Sequence, residues 1–137
     1  IPELNQVLDA SIRHIALANP ETAPYGAAAV QALQNAGLYE KVQHKLVYGE
    51  SIAQVSQFIL SGSAELGFTA KSVLLSGKLG EAGSWLMIDE RQYEPIQQGA
   101  VRIKKKQPHP EAEAFLTFLH SERAQAILTN FGYDFPS

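Results

Sequence analysis

The sequence predicts an α/β domain with a mainly parallel sheet of about five strands flanked by helices. Three observations carry that prediction. Short apolar runs of strand length recur at residues 15–18, 45–48 and 66–70. Between them lie segments whose apolar residues return every three or four positions, the period of a helix face. Asn19-Pro20, Gly37, Gly49 and Gly62 punctuate the changes of period, as turn residues do. Strands that alternate with helices are joined by crossovers, and crossovers make parallel sheets.

Along the chain, Leu4, Val7 and Leu8 give a weak helical lead-in over residues 1–11. Residues 12–18 carry the first strand, and Asn19-Pro20 stops it because the residue before a proline is pushed out of helical geometry. Thr22-Ala23-Pro24-Tyr25-Gly26 opens an alanine-rich helix with Ala29, Val30, Leu33 and Ala36 on one side. Gly37 reads as its end. The second strand, 45–48, stops at Gly49. A helix follows through Ile52, Val55, Phe58 and Ile59, with Ser51 as its N-cap. The third strand is 66–70, then a short helix over 71–75 and a turn over 80–83. Residues 84–88 and 98–103 read as a fourth and a fifth strand, with a polar connection between them. Lys104 to Pro110 is a solvated loop. Ala112, Phe115, Leu116 and Leu119 mark one tail helix, and Ser121-Glu122 opens a last one through Ile127 and Leu128.

Composition narrows the function. The chain has 137 residues, 45% of them hydrophobic and 18% charged, the profile of one compact domain. A net charge of -3 argues against a general nucleic-acid surface. No apolar run approaches membrane-spanning length. The absence of cysteine excludes disulfides and thiolate metal sites and fits a periplasmic protein. A first residue of Ile1 suggests a processed chain or a piece of a longer one.

Two strand-to-helix turns stand out. A helix start carries unpaired N–H donors and partial positive charge, which suit a small anion. One such start is Pro24-Tyr25-Gly26, the other Gly49-Glu50-Ser51-Ile52. Taken singly, each reads as ordinary capping. In a parallel α/β layer, however, helix starts after successive strands gather at the carboxyl edge, where ligands bind.

Other candidates are weaker. Lys104-Lys105-Lys106 lacks the aromatic interleaving of a nucleic-acid surface. His14, His44, His109 and His120 show no metal-ligand spacing. Ser51, Ser72 and Ser76 sit in no nucleophile elbow and have no assignable histidine-acid partner. Asp89 and Glu90 are adjacent carboxylates that point apart on most backbones. The reading is a binding protein, not an enzyme, with no cofactor.

The segments 18–26 (Ala18-Asn19-Pro20 through Ala23-Pro24-Tyr25-Gly26), 47–54 (Val47-Tyr48-Gly49-Glu50-Ser51-Ile52-Ala53-Gln54) and 65–68 resemble the periplasmic molybdate-binding proteins of ABC importers. The tail, with Ala114-Phe115-Leu116, Phe118-Leu119 and Phe131-Gly132-Tyr133, resembles the end of that family. The resemblance runs from about Ser11 onward. It implies a type II periplasmic-binding-protein lobe, a ligand that is molybdate or tungstate, and an ABC transporter permease as partner. It implies that Tyr25 gives its main-chain N–H, with or without its hydroxyl, and that Ile52 gives its main-chain N–H, with Pro24, Gly26 and Ser51 around them. Some members carry a tyrosine where this chain has Ala70.

The resemblance further implies that the 137 residues form one domain, the second lobe over roughly 12–103, with tail helices over 108–131 that would pack on a first lobe. Without that lobe, about half the oxyanion's donors are absent. The apolar tail face then predicts either repacking or a homodimer, including one formed by exchange of the tail. A rival reading is the effector-binding lobe of a transcription regulator. A helix-turn-helix upstream in the parent gene would favour that rival, and a signal peptide would favour the receptor.

Overall fold

The computed structural model describes residues 3–135. They fall into two compact units, one reaching to Ile96 and the other starting at Gln97.

The first unit is built on β1 (Ile15–Ala18), which is buried along its whole length. β1 lies between β2 (Leu46–Gly49) and β3 (Leu66–Gly67), and both pairings are parallel. Its register runs Ile15↔Leu46 to Ala18↔Gly49 on one side, and Ile15↔Leu66 and Ala16↔Gly67 on the other. A central parallel strand is covered on both faces, so it reads as a continuous apolar run instead of an alternating one.

Alternation along β1 still divides the core in two. Ile15 packs with Val7, Leu33, Leu38 and Val42 on the face covered by α1 (Pro24–Asn35) and α2 (Tyr39–Val42). Ala16 and Ala18 pack with Val55 and Ala64 on the face covered by α3 (Ile52–Leu60). The small side chains on that second face leave room for α3 to lie close to the sheet.

The helix ends follow local chemistry. Gly37 has φ +67°, so the chain turns out of α1 in the left-handed region. There Leu38 N–H donates to Leu33 O at 2.8 Å and Gly37 N–H to Gln34 O at 2.9 Å, the two bonds of a Schellman ending. At the amino edge of the sheet, Glu65 accepts from the amides of His14 (2.8 Å) and Arg13 (3.1 Å), tying the approach to β3 to the approach to β1. Lys45 Nζ donates to Val7 O and Asp9 O, which anchors the 3₁₀ turn Leu4–Leu8 beside β2.

The short helix α4 (Lys71–Ser76) follows β3, and two 3₁₀ turns, Lys78–Gly80 and Glu90–Gln92, come after it. Asn35 Nδ2 donates to Gln92 O and Glu94 N–H donates to Gln31 Oε1, which holds residues 92–94 against α1.

The second unit contains α5 (Glu111–Leu119) and α6 (Glu122–Asn130). Ser121 caps α6 by accepting from Ala124 N–H at 3.2 Å. Phe115 and Phe118 stack tilted with ring centres 6.4 Å apart. No helix among the described residues is long and apolar enough to cross a membrane.

Four sequence expectations need correction. The sheet has three strands, not about five: residues 84–88 and 98–103 are not strands. Trp85 and Met87 are 44% and 49% exposed, and Val101 and Ile103 are 85% and 70% exposed. An apolar or alternating run becomes a strand only when a sheet edge pairs with it, and β3 offers an edge of just two residues. That shortness is the second correction, since 66–70 read as a full strand. Third, the second strand starts at Leu46 and not at Lys45, which closes a 3₁₀ turn (Gln43–Lys45) that follows α2. Fourth, the lead-in is a 3₁₀ turn and not an α-helix.

Candidate functional site

The carboxyl edge of the sheet is assembled by two close fits. At Gly26 a Cβ would stand 2.0 Å from Ala18 O, so the first turn of α1 presses directly on the end of β1. At Gly49 a Cβ would meet Val55 N and Cγ2 at 3.3 Å, so α3 starts hard against the end of β2. Asn19 N–H donates to Gly49 O at 2.8 Å, joining the two turns just past the last ladder pair. β1 and β2 are neighbours and parallel, and each runs directly into its helix. The starts of α1 and α3 therefore open at the same edge. Pro24, Tyr25 and Gly26 lie at one, and Ser51 and Ile52 at the other.

Local sequence sets the two starts differently. Pro24 at the first helical position removes one N–H that would be unpaired there, and its ring fixes a helical φ. Ala23, the N-cap residue, gives no side-chain bond. At α3, Ser51 Oγ accepts from Gln54 N–H at 3.3 Å, and Gln54 Oε1 accepts from Glu50 N–H at 2.7 Å. This resembles a capping box, except that the Gln54 side chain reaches the amide one residue before the cap. The helical ladder starts at Val55 N–H, which donates to Ser51 O. The amides of Ile52 and Ala53, the first two of the helix, have no acceptor among the described residues. Pro24 and Ser51 are exposed, Tyr25 and Ile52 half-buried, and Gly26 buried.

Neither turn contains a lysine or an arginine. Glu21 and Glu50 are the charged residues nearest the two starts in sequence, and both are exposed. Such carboxylates act on a neighbouring anion through water and salt, which screen charge over about 8–10 Å.

Thr69 is a residue that sequence reasoning passed over, inside the run taken as the third strand. It follows β3, and its hydroxyl oxygen is shut off from solvent with no hydrogen-bond partner among the described residues. A polar residue just past an apolar strand was the available signal. Ala70 is buried at the start of α4 and offers no side-chain donor.

The remaining candidates take structural roles. His14 Nδ1 lies 3.7 Å from Glu65 Oε2, and His109 Nδ1 accepts from Glu111 N–H. Asp89 caps the turn Glu90–Gln92 and pairs with Arg91, whose guanidinium holds the carboxyl down at about 2. Lys104, Lys105 and Lys106 are exposed in a loop. No group of three or more His, Cys, Asp or Glu that could hold a metal occurs among the described residues. A shallow hollow lined by Glu3, Asn5, Gln6, Leu8 and Asp9 lies beside the amino end of β2, away from the helix starts.

The model of the family described as bacterial extracellular solute-binding protein matches residues 1–134. The chain belongs to that family. The chain is 45% identical over 124 residues to Molybdate-binding protein ModA of Azotobacter vinelandii, covering 90% of this chain and 49% of that protein. It is 40% identical over 133 residues to Molybdate-binding protein ModA of Rhodobacter capsulatus, covering 97% of this chain and 52% of the relative. Its fold superposes on the Azotobacter vinelandii periplasmic molybdate-binding protein with a TM-score of 0.81 at 34% identity, covering 96% of this chain and 58% of that one. The chain thus spans about half the length of the relatives it matches. The family is one of solute binding, not catalysis.

Proposed function

We propose that this chain is an oxyanion-binding lobe of an ABC-transporter solute receptor of the periplasm, and that its ligand is molybdate or tungstate. The observation that carries the reading is the pair of open amides on Ile52 and Ala53, set beside the start of α1 at the edge where β1 and β2 end. The similarity to molybdate-binding proteins supplies the ligand class. Tyr25 and Ile52 give main-chain N–H groups to the anion. Pro24 and Gly26 set the backbone of one turn, and Ser51 sets that of the other. No countercharge is needed, because aligned N–H dipoles favour an anion at a helix start.

The magnitude of binding follows from the donors. Three or four hydrogen bonds at about 0.5–1.5 kcal/mol each sum to roughly 4 kcal/mol, a Kd of about 1 mM. Titrating the ¹⁵N-labelled chain with molybdate while following its amide resonances tests the reading. The expected result is a saturable shift of the Ile52 and Ala53 amides in the millimolar range, with tungstate equivalent. Unmoved amides at saturating anion would overturn the proposed site. Submicromolar affinity in a monomer would overturn the half-set of donors.

A further inference from the structure

We infer that Gln54 sets the charge of the proposed oxyanion site: its neutral carboxamide closes the start of α3 where a glutamate would also close it, and so leaves that helix start positive towards an anion. This inference rests on the proposed oxyanion site and names a residue that tunes its affinity without touching the ligand.

The first observation is the geometry of the side chain. Gln54 is the third residue of α3, after the Ser51 cap. Its Oε1 accepts from Glu50 N–H at 2.7 Å, and its own N–H donates to Ser51 Oγ at 3.3 Å. The bond to Glu50 uses only the acceptor oxygen of the carboxamide. A glutamate offers the same acceptor on a side chain of the same length, and the two residues share this position in capping motifs. For stability alone glutamate is the better choice, because a carboxylate in the first turn meets the positive end of the helix. The cap therefore gives no reason for a neutral side chain.

The second observation is a division among the helices. α1, α3 and α4 each follow a strand of the parallel sheet and open towards its carboxyl edge. None of the three has an acidic residue in its first turn. α2, α5 and α6 follow no strand, and each has one: Glu40 in α2, Glu111 and Glu113 in α5, Glu122 in α6. First-turn carboxylates thus occur where a helix start has only itself to stabilise. They are missing at the edge where the open amides of Ile52 and Ala53 lie.

Charge magnitudes show what the omission does. Neither turn has a lysine or an arginine, so attraction for an anion comes from the helix start, worth about half a positive charge. A carboxylate on residue 54 would bring a full negative charge and outweigh it. The nitrogens of Glu50 and Ile52 are at most about 7 Å apart. The Gln54 oxygen, bonded to Glu50 N–H, is therefore within about 10 Å of the Ile52 amide, which is about the screening length in 0.1 M salt. Glu50 is a weaker influence, because its side chain is exposed to water. Gln54 is half-buried, and its terminal oxygen is fixed against the main chain.

The experiment compares wild type, Gln54→Glu and Gln34→Glu in the full 137-residue chain. Each is titrated with molybdate at about 0.1 M and about 1 M sodium chloride, where charge is screened over about 10 Å and about 3 Å. The Ile52 and Ala53 amide shifts and the unfolding midpoint of the ligand-free chain are read. Gln34→Glu adds the same charge in the last turn of α1, about 15 Å from its start. The expected result for Gln54→Glu is a rise in Kd of about three- to tenfold at the lower salt, with the midpoint unchanged or raised. At the higher salt the difference should shrink to about twofold or less. Gln34→Glu should bind within about twofold of wild type at both. If Gln54→Glu binds as wild type does, the inference is overturned while the oxyanion site stands. A loss of affinity that persists undiminished at high salt would mark a displaced backbone, and one shared by Gln34→Glu would mark net charge alone; either also overturns it. If the wild-type amides do not respond to molybdate, the oxyanion site itself fails and the inference with it.

Discussion

Gly26 and Ala18 are packed so closely that the first turn of α1 has no room for a side chain against the end of β1: a Cβ at Gly26 would lie 2.0 Å from Ala18 O and 2.7 Å from Ala18 C. Both obstructing atoms are backbone, in a strand buried on both faces, and cannot swing aside. This contact sets how near the α1 start comes to the sheet edge. Gly26→Ala should destabilise the fold by about 3 kcal/mol, the upper part of the usual overpacking range, because the neighbour is unyielding backbone. Urea unfolding followed by tryptophan fluorescence measures it. A loss below about 0.5 kcal/mol would mean the junction relaxes freely and does not fix the site.

At the second junction, main chain and side chain can be separated. Ile52 half-buries its side chain against the Ala16–Ala18–Val55–Ala64 cluster, while its amide has no acceptor among the described residues. Ile52→Ala keeps the N–H and should preserve anion affinity, at a stability cost of about 1–3 kcal/mol for a half-buried side chain. Ile52→Pro removes the N–H. Proline is compatible with the first helical position, and Ser51, at φ −154° and ψ 166°, already has the extended backbone required before it. This variant should fold and lose the molybdate response. Equal affinity in the two variants would exclude the Ile52 amide as a donor.

These junctions were largely legible in the sequence, and the sheet beyond them was not. Pro24, Gly37, Ser51 and Gly62 act locally, through φ, a missing N–H or a cap, and Gly49 through the absence of a side chain against Val55. Their consequences therefore appear where the residues stand: α1 starts at Pro24 and α3 directly after Ser51. Strand pairing is not local. Residues 84–88 and 98–103 have strand-like composition, but pairing depends on an edge elsewhere in the chain, and neither outer strand of the β2-β1-β3 sheet pairs with them. α2 was missed because four residues carry too little periodicity to read. Thr69 was missed because an orphaned hydroxyl is a property of packing, not of residue order.

The Ser51 cap can be tested independently of any ligand. Ser51 Oγ satisfies Gln54 N–H, and Gln54 Oε1 satisfies Glu50 N–H, so the two side chains close the start of α3 together. Ser51→Ala should cost about 1 kcal/mol. Gln54→Ala in the Ser51→Ala background should cost less than it does alone, because the exchange is already broken. Additive losses in a double-mutant cycle by urea unfolding would show that the two bonds act separately.

At the opposite edge of the sheet, Glu65 makes the fold sensitive to acid. Its carboxylate accepts from the His14 and Arg13 amides and pairs with the Arg13 guanidinium. The His14 amide is the largest of the influences that hold its pKa down from 4.5 to about 2. The folded pKa is depressed, so the unfolded chain binds the proton first as pH falls. The stabilisation is complete above about 4.5 and is lost progressively as pH drops towards about 2. Glu65→Gln removes the charge and replaces one acceptor oxygen with a donor. It should be less stable than wild type at pH 7, and the gap should narrow steadily below pH 4.5. Parallel stability curves for the two proteins between pH 7 and pH 2.5 would show that Glu65 titrates alike in the folded and unfolded chains, and that its bonds to the approach of β1 contribute nothing to the fold.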